Sequence, residues 1–327
     1  MEIVAVDLGG THARFCIAAL NGGGRPALGE PRTYRIADYP GLGTAWEAFA
    51  RDSGRRLPRA ASIAIAGPVD GALIRFTNSS WTVRPAMLGD ELGLDRHPVL
   101  INDFAAMAAA VGVLDPGELA ALGGPDGPLP ADGITTVIGP GTGLGVAQLL
   151  RHEGRRIVLP TEGGHVDFAA LDGFEEGLLA VLRERHGRVS AERIVSGPGL
   201  SGIREALARL GGRAIVPQDD AMLWAAATSA GDPLASQALD RFVMIFGAVA
   251  GDLALAHGAN AVVVTGSLSI RIRDRLAGPL FNDRFRAKGR FAARMAGFPV
   301  RLAIHPEPGL LGAAVAFQDG APHRPRD

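Results

Sequence analysis

The sequence predicts an α/β protein built from two related halves. Three observations carry this. Residues 2–20 read as strand, glycine turn, strand. Residues 134–150 repeat that order, with a threonine in the glycine turn, and an internal repeat outranks most other signals. Between them, Pro98-Val-Leu-Ile101 is a short, apolar, β-prone run that passes straight into the alanine-rich, helix-prone stretch Phe104–Val111. Asn102 and Asp103 stand at that junction. It is the carboxyl end of a strand, where ligands bind in α/β sheets. Capping of the next helix is the competing use of such a pair.

The elements follow in order. Glu2–Val6 is a strand ending on Asp7, and Ala13–Leu20 is its return after Gly9-Gly10-Thr11. A dinucleotide fingerprint is excluded, because a helix would have to follow those glycines. Tyr39–Ala50 suits a surface helix, Ala61–Ala66 a strand stopped by Gly67-Pro68, and Ala72–Phe76 a returning strand after the Val69–Gly71 turn. Thr77-Asn-Ser-Ser-Trp81 is a polar loop. From Asp115 to Gly133, four prolines among glycines and aspartates predict a linking region without regular structure. Ile134–Leu150 opens the second half. Leu200, Ile203, Leu207 and Leu210 share one helical face. A helix near Met222–Thr228 precedes a longer one ending near His257-Gly258, where Gly247 and Gly251 predict close packing against a sheet or another helix. Ala261–Leu268 is a third strand-glycine element. Gly309–Phe317 is the last ordered element, and the polar tail from Ala321 is expected to fray.

Composition narrows the function. Of 327 residues, 47% are hydrophobic and 20% charged, which fits about two ordinary domains. A net charge of −1 leaves no footprint for nucleic acid or an anionic membrane. The start lacks the pattern of a signal peptide, and Phe242–Ala256 is too short and too broken to span a bilayer. Cys16 is the only cysteine, so no internal disulfide can form and a reducing, cytoplasmic setting is expected. Lys288 is the only lysine, and no Walker-type phosphate loop exists.

Three clusters carry candidate chemistry. Glycine tips expose backbone N–H groups in concavities that attract phosphate. Gly9-Gly10-Thr11 and the turn from Gly139 to Gly145 are therefore expected to grip a triphosphate, although tight hairpins need glycine in any case. Asp7 beside the first tip suits a Mg²⁺ held through water. Thr161-Glu-Gly-Gly-His165 offers a carboxylate and an imidazole, acceptor and donor for vicinal hydroxyls; a solvated surface turn is the alternative. Val189-Ser-Ala-Glu-Arg193 has Ser190 as a helix cap, yet a capping box would put its acid at 193. Glu192 is thus left without that local role, beyond a generic dipole contribution.

Read together, these motifs carry a family. The chain resembles the bacterial glucokinases of the actin/hexokinase/heat-shock-ATPase superfamily, ATP-dependent enzymes that make glucose 6-phosphate. The matching stretches are Val6-Asp-Leu-Gly-Gly-Thr-His-Ala-Arg14, Thr77–Trp81, Ile101-Asn-Asp-Phe104, Gly139-Pro-Gly-Thr-Gly-Leu-Gly145, Pro160-Thr-Glu-Gly-Gly-His-Val-Asp-Phe168, Val189–Arg193 with Ser196-Gly-Pro-Gly-Leu200, and Pro308-Gly-Leu-Leu-Gly312. The resemblance implies an α/β fold of two duplicated actin/hexokinase-like (RNase H-like) domains with an active-site cleft between them. Residues 1–112 plus 306–327 would form the small domain and 113–305 the large one. It implies Asp103 as catalytic base and Asn102, Glu162, His165 and Glu192 as sugar contacts. Gly9, Gly10, Thr11, Gly139, Gly141, Thr142 and Gly143 become phosphate contacts, and Gly266 lies near the adenosine. ATP and Mg²⁺ are the expected cofactors, glucose the expected substrate, and a homodimer the expected assembly.

Three departures stand out. His12 replaces the usual asparagine, Gly266-Ser267 replaces a Gly-Gly pair, and Gly67 replaces a residue that is often cysteine. The related repressor-and-kinase sugar family usually carries a cysteine-rich zinc motif, which Cys16 alone cannot supply. A kinase for fructose, mannose or glucosamine, or a sugar sensor without turnover, would share these residues.

Overall fold

The computed structural model describes residues 1–69, 71–76, 81–229 and 231–320. Asp70 in the Val69–Gly71 turn, the Thr77–Ser80 part of the polar loop and the tail from Ala321 lie outside the described residues. Strands and helices come in the following order. The first part holds β1 Glu2–Leu8, β2 His12–Ala19, β3 Ala27–Leu28, β4 Arg32–Arg35, α1 Leu42–Ser53, β5 Ala61–Ile65, β6 Ile74–Arg75, β7 Thr82–Val83, α2 Leu88–Glu91, β8 Val99–Asn102 and α3 Asp103–Val111. Next come β9 Leu119–Gly123, β10 Gly133–Pro140, β11 Leu144–His152, β12 Arg155–Thr161, α4 Gly173–His186, α5 Gly199–Leu210, α6 Asp220–Thr228 and α7 Pro233–Ala256. The chain closes with β13 Ala261–Val264, α8 Ser267–Arg271, α9 Arg273–Leu276, α10 Pro279–Arg286, α11 Ala292–Ala296, β14 Val300–Ala303 and α12 Pro308–Gln318.

The chain divides into two compact units. The first holds Met1–Leu114, Arg156–Pro160 and the described residues from His305 onward; the second holds Asp115–Arg155 and Thr161–Ile304. Residues 156–160 belong to the first unit, a stretch that the sequence reading assigns wholly to the second.

In the first unit the strand order is β3-β2-β1-β5-β8, with β4 on β2. β1 runs antiparallel to β2 and parallel to β5, and β5 is parallel to β8. From Ile3 to Leu8 every β1 residue is buried, and so is all of β5, as expected of strands covered on both faces. The hairpin register sets Asp7 opposite Arg14. α1 begins at Leu42, later than the sequence indicates, because Pro40 holds Tyr39 in extended backbone. α12 returns to lie on α3, β1 and β5. Gly312 makes this possible: a Cβ there would overlap the Ala106 carbonyl of α3.

The second unit repeats the plan. Its own strands run in the order β11-β10-β13-β14-β9, with β10 antiparallel to β11, parallel to β13, and β13 parallel to β14. Gly247 and Gly251 of α7 serve the packing role expected of them, and the partner is a helix. A Cβ at either position would collide with the backbone of α10, at the carbonyls of Phe281 and Phe285. Phe246 and Phe281 meet edge to face at 5.4 Å across that contact.

Two expectations need correction. The linking region contains a strand, β9, antiparallel to β14. The prolines on either side conceal it, although none falls within Leu119–Gly123. Arg301, 4% exposed, ties down the strand's end and the turn that follows. Its guanidinium donates to the carbonyls of Gly123 at 3.1 Å, Pro125 at 2.6 Å and Gly127 at 3.0 Å. On α5, Leu200 and Ile203 are buried, but Leu210 at the helix end is 55% exposed and covers Gly177. Among the described residues no helix is long and apolar enough to cross a membrane.

Gly312→Val should force α12 off α3 and cost roughly 1–3 kcal/mol, as overpacking does. The check is the urea midpoint of the variant. A value equal to the parent's would mean that the two helices tolerate a wider spacing.

Candidate active site

In the first unit, the β8–α3 junction divides its duties between two side chains. Asn102 keeps extended backbone and caps α3, its Oδ1 accepting from the N–H groups of Phe104 at 2.9 Å and Ala105 at 3.1 Å. Its Nδ2 donates to the Gly67 carbonyl at 3.2 Å. Gly67 has φ +138°, a backbone that a side chain would strain. Asp103 is the first helical residue, half-buried, with Oδ1 accepting from Phe104 N–H at 2.8 Å. The capping reading is therefore met, and Asn102 meets it.

Asp7 ends up under α12. A Cβ on Gly309, in the first turn of that helix, would stand 2.6 Å from the Asp7 carboxyl carbon. Arg14, its cross-strand partner, donates to Asp7 Oδ2 at 3.2 Å and has its Nε 3.8 Å from Glu307 Oε2. Burial pushes the Asp7 carboxyl above the usual carboxylate range, and the Arg14 guanidinium pulls it back. Glu307 is pushed up by burial too, opposed by Arg14 and reinforced by the charge of Asp7. At the hairpin tip, Gly9 N–H is used internally, donating to the His12 carbonyl at 3.0 Å. Thr11 and His12 are exposed, with the threonine hydroxyl 3.0 Å from His12 Nδ1.

In the second unit, the glycine turn between β10 and β11 folds on itself. Gly141 N–H donates to the Gly143 carbonyl, and the Gly141 carbonyl accepts from Gly197, both at 2.7 Å. Gly141 and Thr142 are exposed. Gly139 has a packing role: a Cβ there would overlap the Thr265 carbonyl after β13. Gly266 takes φ +96° and faces the Pro140 carbonyl.

Three of the expected sugar contacts come together beside this turn. Glu162 precedes the 3-10 turn Gly163–His165, and Glu192 lies in the 3-10 turn Ala191–Arg193. His165 Nε2 is 3.8 Å from Glu162 Oε2, and its Nδ1 is 4.0 Å from Glu192 Oε1. Glu192 takes no local capping role, and its partner is distant in the chain: its Oε2 accepts from Leu144 N–H at 2.9 Å. Ser190 flanks the turn without a side-chain cap bond. A hollow of about 300 Å³ runs from Thr142 and Glu192 to His186, Arg193, Ser196 and Asp220. Burial lowers His186 and the arginines at 193 and 185 lower it further; burial and Asp219 raise Asp220.

A family model for glucokinase matches residues 4–320. The chain belongs to the glucokinase family. A glucokinase of Zymomonas mobilis is 54% identical over 317 residues, 97% of this chain and 98% of its own length. The glucokinase of Xanthomonas euvesicatoria is 39% identical over 328 residues, 99% and 97% of the two chains. Among solved structures, a glucokinase from an Antarctic psychrotroph superposes with a TM-score of 0.84 at 30% identity, covering 96% of this chain and 98% of the other. The fold is that of the actin-like sugar kinases.

This glucokinase has site neighbours that sequence reasoning missed. Arg14 was inside a quoted motif, and its alternation with Asp7 across a hairpin was the available signal. Glu307 and Arg188 gave none, because their partners are distant in the chain.

The Asp7 shift has a direction that can be tested. Its carboxyl is raised in the fold, so the folded state takes up a proton before the unfolded chain does. Stability from this group therefore increases as the pH falls from neutral towards the ordinary carboxylate value. Asp7→Asn should exceed the parent in thermal midpoint at pH 7, with the gap narrowing as the pH falls towards the ordinary carboxylate value. A variant less stable at pH 7 would show that Arg14 outweighs burial.

Proposed function

We propose that this glucokinase transfers the γ-phosphoryl group of ATP to the 6-hydroxyl of D-glucose with Asp103 as general base. ATP-dependent phosphorylation of glucose follows from family membership. The observation that carries it is the cluster of Glu162, His165 and Glu192, anchored to the exposed glycine turn through Leu144. Two carboxylates and an imidazole supply acceptors and a donor for adjacent hydroxyls, and the turn supplies N–H groups for an anion.

Glu162, His165, Glu192 and Asn102 would hold the hexose and fix its 6-hydroxyl. Asp103 would accept the proton of that hydroxyl as its oxygen attacks the γ-phosphorus and the bond to the β-phosphate oxygen breaks. A carboxylate is a weak base, but phosphoryl transfer passes through a loose transition state in most analyses, so alignment outweighs early deprotonation. Gly10, Thr11, Thr142 and Gly143 would meet the charge on the transferred group with backbone N–H donors and the threonine hydroxyls. Gly9, Gly139 and Gly141 would shape the two turns, and Gly266 would admit the adenosine.

Mg²⁺ would be held by Asp7 through water and by the phosphates of ATP, and when bound it supplies positive charge against the γ-phosphoryl oxygens. The donor set fits. Asp7 and Glu307 flank Arg14. That suits an ion bound by one or two carboxylates, waters and substrate phosphates. We further propose a cytoplasmic homodimer that takes glucose and ATP as small-molecule substrates and binds no nucleic acid; the single cysteine and the near-neutral charge support the cellular setting.

Asp103→Asn keeps an acceptor for Phe104 N–H but removes the base. Turnover in a coupled glucose 6-phosphate assay should fall by roughly 10²–10⁴-fold, the usual worth of a general base. Glucose binding should persist. Near-native turnover refutes the assignment.

A further inference from the structure

We propose that Arg188 is a positioning residue for the hexose, holding the two sugar-binding turns of the second unit in register. The inference rests on the reading of Glu162, His165 and Glu192 as hydroxyl contacts. Arg188 follows Gly187, which ends α4 with φ +62° and turns the chain back. Its Nη2 donates to the His165 carbonyl at 2.6 Å, and its Nε lies 2.6 Å from Asp167 Oδ1. One planar guanidinium thus grips a backbone carbonyl and a carboxylate two residues apart, which a lysine ammonium cannot reproduce.

The grip falls beside a very short antiparallel bridge. Asp167 faces Ser190, Ala191 N–H donates to the Val166 carbonyl at 2.9 Å, and Phe168 N–H donates to the Val189 carbonyl at 3.1 Å. This bridge joins the turn bearing Glu162 and His165 to the turn bearing Glu192. β11 steadies each turn separately: Leu144 N–H donates to Glu192, and Gly164 packs on the Leu144 carbonyl. Arg188 fixes the His165 peptide plane relative to the bridge, and with it the direction of the imidazole towards Glu192.

The side chains of Arg188 and Asp167 are 61% and 75% exposed. An exposed ion pair adds little to global stability, so its loss leaves the fold in place and changes local geometry. The readout is sugar affinity.

The experiment uses the full chain and varies glucose and ATP separately. Arg188→Gln should raise the KM for glucose roughly fivefold, about the net worth of one hydrogen bond in water. Its kcat, KM for ATP and thermal midpoint should stay near the parent values. Arg188→Lys should recover only part of the affinity, and Asp167→Asn should shift the glucose KM in the same direction as Arg188→Gln. Glu162→Gln and Glu192→Gln serve as controls for the underlying reading. If both controls raise the glucose KM and Arg188→Gln does not, Arg188 has no positioning role and the sugar assignment stands. If none of the three changes it, the sugar assignment fails and this inference fails with it. A drop in kcat and thermal midpoint at unchanged glucose KM also overturns it, by revealing a purely structural residue.

Discussion

The carboxylate of Glu192 occupies the space that a side chain on residue 143 would fill. A Cβ at Gly143 would collide with Glu192 Oε2, the same oxygen that accepts from Leu144 N–H at 2.9 Å. With one oxygen committed to the backbone, the other is directed to His165, 4.0 Å away. The glycine turn and the acid cluster are therefore one assembly: neither can shift without the other. A buried or half-buried carboxylate needs such partners, because desolvation without hydrogen bonds is costly. The glycine here serves the acid as much as it serves any anion.

Duplication supplies the frame, and divergence supplies the chemistry. Both units place a hairpin next to parallel strands in the same order, β2-β1-β5-β8 and β11-β10-β13-β14. At the end of the first hairpin, Asp7 and Arg14 face each other across the strands, while the corresponding stretch of the second pairs Gly139 with Gly145. The first hairpin thus ends on a charged pair whose Asp7 is packed beneath α12, and the second is bare backbone beside acids. Two loops that look alike as glycine turns differ in what surrounds them.

Several features were legible because they depend on near neighbours. The strand-to-helix junction at Asn102 and Asp103 is written in propensity, and so are both hairpins. The spacing of Gly247 and Gly251 announced a close approach, though not that α10 makes it. Other features were hidden because the partner is far along the chain. Glu192 lies 48 residues from the N–H that it accepts. Arg301 lies more than 170 residues from the carbonyls of Gly123 and Gly127. Prolines around β9 signalled a loop, and pairing with β14, far along the chain, makes the proline-free stretch between them a strand.

The sequence by itself determined the α/β class, the repeated hairpins, the helix start at Asp103 and the set of acids, histidine and glycines from which a sugar kinase is made. These rest on periodicity, propensity and residue type, which act over a few residues. Only the tertiary structure decided that Asn102 takes the capping duty, that Asp7 is buried against Arg14 beneath Gly309, and that Glu192 is bound to the glycine turn and faces His165. Those outcomes depend on which carbonyls, guanidinium groups and backbone N–H donors meet after folding, and distance along the chain carries no record of that.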